Sequence, residues 1–145
     1  GSLVDWHCPL EAIKVGQGRR LKSGKDIALL TLGPIGTEGS KAIQLFEQQH
    51  SDMSIAHYDL RFLKPLDETL LQEVGEHFSC IVTLEDGVRM GGMGSAVLEW
   101  MNDHDYQPKM TRMGLPDEFV EHGTVAQLRE IVHLDKEAIK EAIKK

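Results

Sequence analysis

Two glycine-rich segments are the first candidates for chemistry in this sequence. Gly33–Gly39 (GPIGTEG) and Gly91–Ser95 (GGMGS) each follow an apolar run and lead into a helical pattern. Backbone amides at the start of a helix can bind a phosphate, so an anionic ligand is conceivable at either turn. Neither segment has the GxGxxG spacing of a dinucleotide site or the Gly-Lys-Ser/Thr ending of a P-loop. Short turns between a strand and a helix need glycine for their geometry alone, which favours a structural interpretation of both.

Histidines and carboxylates give weaker signals of a metal or catalytic site. The 7 histidines include no HxH or HExxH arrangement, the spacings that bring two imidazoles to one zinc ion. His57 and Asp59 alternate onto one strand face and could hold a metal or a general base, but a hydrogen-bonded pair at a strand end is favoured. Glu85-Asp86-Gly87 ends another strand and could bind a cation. Adjacent strand residues point to opposite faces, which instead favours a solvated or interface role.

The composition narrows the class of protein. A chain of 145 residues suffices for one domain with its own core. The net charge of -7 argues against nucleic-acid binding, which needs a basic face. Two cysteines are too few for a disulfide framework, and Cys80 lies in an apolar run where a buried thiol is expected. No apolar run is long enough to cross a bilayer, so we expect no membrane contact and a cytoplasmic location.

Strands and helices alternate along the chain and must position these residues. The predicted strands cover residues 19–22, 26–32, 53–60, 80–84 and 110–113. Helices are predicted after Thr37 to about His50, after an N-cap at Asp67, and after Ser95 with Trp100 largely buried. Two more are predicted from Thr124 and after Asp135. This alternation is typical of a mostly parallel sheet with helices on its faces, which predicts one α/β domain. Taken alone, Ser23-Gly24 predicts a hairpin turn between the first two strands.

Four segments, in order along the chain, resemble one enzyme family. They are Tyr58–Asp67, Thr83–Val88, Gly91–Val97 and Gly114–Gly123. Together they closely resemble the carboxy-terminal domain of the 1-deoxy-D-xylulose-5-phosphate synthases, over roughly residues 13–143. The Lys-Pro-Leu-Asp part is similar to other transketolase-like enzymes, whereas Gly-Leu-Pro-Asp-x-Phe-x-x-His-Gly is more specific. Residues 1–17 are accordingly expected to be a cloning remnant, Gly1-Ser2, followed by an interdomain linker. Residues 18–145 are expected to be a transketolase-like C-terminal domain.

The resemblance implies a more specific fold than the periodicity does. It implies a three-layer α/β/α sandwich around a five-stranded mixed sheet that is mostly parallel. The first strand is expected to be antiparallel and to lie at the sheet edge, beside the third strand. This order conflicts with the hairpin suggested by Ser23-Gly24, and we adopt the order that the resemblance implies.

The resemblance also implies that the full-length parent is a thiamine-diphosphate-dependent transferase. Such enzymes join pyruvate to glyceraldehyde 3-phosphate with loss of carbon dioxide, which starts isoprenoid, thiamine and pyridoxal synthesis. The magnesium–diphosphate motif, the glutamate that activates the cofactor and the arginine expected to hold substrate phosphate belong to the family's upstream domains. No catalytic, cofactor-binding or metal-binding residue is therefore assigned in this chain, which is expected to be inactive alone.

The upstream domains of the same enzyme are the implied partners, within a homodimer. We predict that Gly91, Gly92, Gly94 and Ser95 contact a neighbouring domain or subunit. Three alternatives stay open. The chain could be the equivalent domain of a transketolase or of a pyruvate dehydrogenase beta subunit. It could be a free-standing regulatory module that binds phosphate or a nucleotide at this turn. It could also be a separately encoded assembly chain of a two-chain enzyme.

Overall fold

A single five-stranded sheet organises the residues that the computed structural model describes, which are 14–86, 92–115 and 128–129. The strands are β1 (Arg19–Lys22), β2 (Ile27–Thr31), β3 (Ile55–Asp59), β4 (Cys80–Asp86) and β5 (Lys109–Leu115). Their order across the sheet is β1-β3-β2-β4-β5. All neighbours are parallel except β1 and β3, which are antiparallel. The predicted mixed sheet, with an antiparallel first strand at its edge beside the third, is confirmed.

Helices cover both faces of this sheet. The helix α1 (Gly36–Gln49) follows a single 3-10 turn (Gly33–Ile35) and packs on one face. The helices α2 (Glu68–His77) and α3 (Met93–Asp103) pack together on the other face. The predicted three-layer α/β/α sandwich is therefore confirmed.

The position of β2 at the centre of the sheet explains why its sequence is apolar without interruption. All of its residues are buried. Ile27 and Leu29 point into the core under α1, whereas Ala28 and Leu30 point into the core under α2 and α3. A strand covered on both faces cannot alternate between apolar and polar residues. On the α3 side, Trp100 packs against this core with intermediate exposure, so most of the residue is buried, as the sequence predicts.

The connection between β1 and β2 is a crossing and not a hairpin. These two strands lie on opposite sides of β3, so the chain that joins them must pass the beginning of β3. A Cβ atom on Gly24 would lie 2.3 Å from the backbone nitrogen of Ala56 and 2.3 Å from the carbonyl carbon of Ile55. Glycine is therefore needed at the crossing point, and the hairpin predicted from Ser23-Gly24 is wrong.

Asp67 caps α2 as the sequence predicts. Its Oδ1 accepts a hydrogen bond from the Leu70 amide at 3.0 Å. Its Oδ2 also accepts from the Gly18 amide at 2.8 Å, which fixes the chain just before β1. The predicted helices from Thr124 and after Asp135 lie outside the described residues. Within the described ranges, no helix is long and apolar enough to cross a membrane.

Candidate functional site

The start of α3 is held by a buried carboxylate from the end of β4. Glu85 is only 4% exposed. Its Oε2 accepts a hydrogen bond from the backbone amide of Gly94 at 3.1 Å. Its Oε1 lies 3.7 Å from Nη2 of Arg112. Because the amino end of a helix attracts negative charge, Glu85 acts there as an internal anion.

Arg112 completes this site, although no sequence motif pointed to it. Its Nη1 donates a hydrogen bond to Oγ of Ser95 at 2.5 Å. The side chain is 52% exposed, whereas that of Glu85 is 6% exposed. No sequence spacing rule connects Glu85, Ser95 and Arg112. Arg112 reaches the start of α3 because β5 pairs with β4 in a register that places Arg112 opposite Thr83.

Two glycines of the predicted contact turn are required by the geometry of the domain itself. A Cβ atom on Gly94 would lie 2.6 Å from Cγ of Arg112 and 2.8 Å from Oγ1 of Thr83. Gly92 has a φ of 110°, in the left-handed region that disfavours residues with a Cβ atom. Gly92, Gly94 and Ser95 thus lie at one turn, in which Ser95 is exposed, Gly92 is half-buried and Gly94 is buried. Gly91 lies outside the described residues.

His57 and Asp59 do not form the mutual hydrogen bond that was predicted, and that prediction is wrong. His57 is buried, with Nε2 2.8 Å from Oγ1 of Thr31 and Nδ1 3.2 Å from Oγ of Ser40. Asp59 instead accepts from the Arg61 amide at 3.0 Å. Desolvation by burial lowers the pKa of His57 from 6.5 to about 4, although the charge of Asp59 opposes this shift.

The contact between Ser40 and His57 has the form of a nucleophile beside a base, but its chemistry is unfavourable. A histidine with a pKa of about 4 accepts a proton weakly. The third group, Thr31, carries no charge that would stabilise an imidazolium ion. These contacts therefore support a structural role for the buried His57 and not a hydrolytic one.

The acidic end of β4 does not fit a magnesium–diphosphate site. Both carboxylate oxygens of Glu85 are directed within the domain, one to the Gly94 amide and the other towards Arg112. A cation in that position would have to displace an arginine. Gly87 and the side chain of Asp86 lie outside the described part. The described geometry therefore gives no reason to assign the family's cofactor to this end of the sheet.

Comparison with known proteins identifies the family. Residues 16–139 match the model of the family described as "Transketolase, C-terminal domain". The chain belongs to this family. As a transketolase C-terminal domain, it is also similar to a solved chain of a split-gene transketolase in an inactive β4 tetramer. That similarity has a TM-score of 0.73 at 26% sequence identity and covers 91% of this chain and 46% of the other.

Full-length relatives confirm the resemblance to one enzyme within this family. The domain is 59% identical over 139 residues to the 1-deoxy-D-xylulose-5-phosphate synthase of Phocaeicola vulgatus, covering 96% of this chain. It is also 59% identical over 145 residues to the enzyme of the same name from Bacteroides thetaiotaomicron, covering 99% of this chain. The chain spans about 22% of the length of these two curated relatives.

Replacing Glu85 with alanine is expected to destabilise the domain by about 1.5–2 kcal/mol, because the Gly94 amide and Arg112 both lose a charged partner. Denaturant melts of the isolated chain would measure this loss. Glu99→Ala, which removes an exposed carboxylate from α3, is the control and should stay within about 0.5 kcal/mol. Equal effects of the two substitutions would contradict the role assigned to Glu85.

Proposed function

We propose that this chain is the C-terminal structural and dimer-assembly domain of a 1-deoxy-D-xylulose-5-phosphate synthase. The observation that carries the proposal is the 59% identity, over 139 residues, to the enzyme of that name from Phocaeicola vulgatus. This identity covers 96% of the chain and far exceeds the 26% identity to the split-gene transketolase chain, which supports this enzyme over a transketolase.

The proposed parent is a cytoplasmic homodimer that joins pyruvate to glyceraldehyde 3-phosphate with loss of carbon dioxide. Thiamine diphosphate supplies the carbanion for this reaction, with magnesium holding its diphosphate. The parts of the enzyme beyond this domain are proposed to bind both, because Glu85 is committed to contacts inside the domain. The domain's own contribution is assembly and positioning.

The turn at Gly91, Gly92, Gly94 and Ser95 is proposed to contact a neighbouring domain or subunit. Its Gly94 amide already donates to Glu85, which disfavours the alternative of a phosphate or nucleotide site. Ser95 is exposed, and Gly92, with no described atom within 4 Å of an added Cβ position, lets another backbone approach closely. The similar split-gene transketolase chain forms an inactive β4 tetramer, which supports assembly without activity.

The isolated chain is expected neither to bind thiamine diphosphate measurably nor to turn over pyruvate. Calorimetric titration with thiamine diphosphate and magnesium measures binding, and the full-length enzyme provides the positive control. Saturable binding to the isolated chain at micromolar cofactor would refute the proposed division of labour.

A further inference from the structure

The Arg112 guanidinium stands beside the Gly92–Ser95 turn in a fixed orientation. Its stem lies over Gly94, where Cγ and Cδ are 2.6 and 2.7 Å from the position of an added Cβ atom. Its Nη1 donates to Ser95, and its Nη2 lies 3.7 Å from a Glu85 oxygen. These contacts hold the plane of the guanidinium, although 52% of the side chain remains exposed.

The exposed Arg112 guanidinium restricts which atoms a partner that covers this turn can place against it. Arginine carries five N–H donors, and the contacts to Ser95 and Glu85 use only some of them. A donor that is buried at an interface without an acceptor weakens the association. A partner on the Gly92–Ser95 turn therefore has to present oxygen atoms to Arg112.

The charge of Glu85 decides which oxygen atoms fit. Glu85 already neutralises Arg112 and also accepts from the amino end of α3. A second carboxylate or a phosphate would approach this buried negative charge where screening by water is weak, which disfavours an anion. A main-chain carbonyl is a strong acceptor without net charge. Gly92, with no described atom within 4 Å of an added Cβ position, also leaves room for a backbone to come close.

We infer that Arg112 donates to main-chain carbonyl oxygens of a segment from the preceding part of the enzyme, which packs on the Gly92–Ser95 turn. The inference rests on the proposed function, since it requires a neighbouring domain. It names the chemistry of the partner, which is a neutral backbone and not an anion. It also assigns a role to a residue outside the glycine-rich motif.

Hydrogen–deuterium exchange in the 145-residue chain and in the full-length enzyme tests this inference. The segment 92–95 should exchange at least about tenfold more slowly in the full-length enzyme, because docking excludes solvent and suppresses local opening. Arg112→Met keeps the stem over Gly94 but removes the donors, and should abolish this difference. Arg112→Lys should retain part of it. Each variant is also measured in the 145-residue chain, so that loosening inside the domain is subtracted.

Arg19→Met is the matched control. Arg19 is 56% exposed and lies 3.8 Å from a carboxylate oxygen of Asp59, much as Arg112 lies near Glu85. This substitution, on the opposite edge strand, should leave the exchange of segment 92–95 unchanged in both proteins. An equal loss of protection from Arg19→Met would show that the effect is not specific to Arg112.

The outcomes separate this inference from the proposed function. Protection elsewhere in the domain with none at segment 92–95 overturns the inference and leaves the assembly role standing. No protection anywhere in the domain overturns the assembly role itself. Normal protection in Arg112→Met also overturns the inference. A final arm titrates the 145-residue chain with inorganic phosphate, and a saturating sub-millimolar shift of the Arg112 side-chain N–H resonance would show an anion site instead.

Discussion

Replacing Gly24 with alanine is expected to destabilise the domain by about 3–5 kcal/mol, the range of severe core substitutions. The added Cβ atom would overlap the backbone of Ala56 and Ile55 at 2.3 Å. A flexible side chain can rotate away from such an overlap, but the backbone of a central strand cannot. Relief would require β3 to shift, and β3 is bonded to β1 on one side and to β2 on the other.

Two control substitutions isolate the crossing as the cause. Ser23→Ala, at an exposed neighbouring position, should change the free energy of unfolding by less than about 0.5 kcal/mol. Gly92→Ala meets no described atom within 4 Å, so it should cost only the strain of its positive φ, about 1–2 kcal/mol. Denaturant melts of the three variants give the comparison. A Gly24→Ala loss no larger than that of Gly92→Ala would contradict the steric explanation.

The strand order shows what local sequence patterns can and cannot predict. The apolar runs located β2, β3 and β4, because a strand covered on both faces is largely apolar. The edge strand β1 (Arg19–Lys22) is mostly exposed and has no such run. The pattern Ser23-Gly24 is compatible with a hairpin and equally with a crossing, since both need a residue without a Cβ atom. Only the resemblance to a family distinguished them, because its four segments carry information about the whole domain.

The candidate site was predictable only in part for a similar reason. The glycine-rich turn was visible, since its composition and its place before α3 are local features. Arg112 was not, because its approach to Ser95 depends on the register between β4 and β5. The partners of His57 were missed for the same reason, as Thr31 and Ser40 come from two other elements.

Acid is expected to destabilise the domain through His57 by about 2–3 kcal/mol between pH 8 and pH 4. Burial lowers the pKa of His57 to about 4 in the folded domain, from 6.5 for an unperturbed histidine. The unfolded chain therefore binds this proton more readily than the folded domain does. The stabilisation is complete above about pH 6.5 and is lost as the pH falls towards 4.

Two measurements assign this loss to His57, since carboxylates also titrate in acid. Nuclear magnetic resonance should show the ring protons of His57 titrating near pH 4. His57→Gln keeps a hydrogen-bonding side chain between Thr31 and Ser40 but has no proton to gain. Its stability should therefore fall less steeply below pH 6.5 than that of the wild type, even if it starts lower. If the stabilities of the two proteins fell equally steeply with pH, His57 would be taking up a proton as readily in the folded domain as in the unfolded chain. That result would contradict the conclusion that burial lowers its pKa.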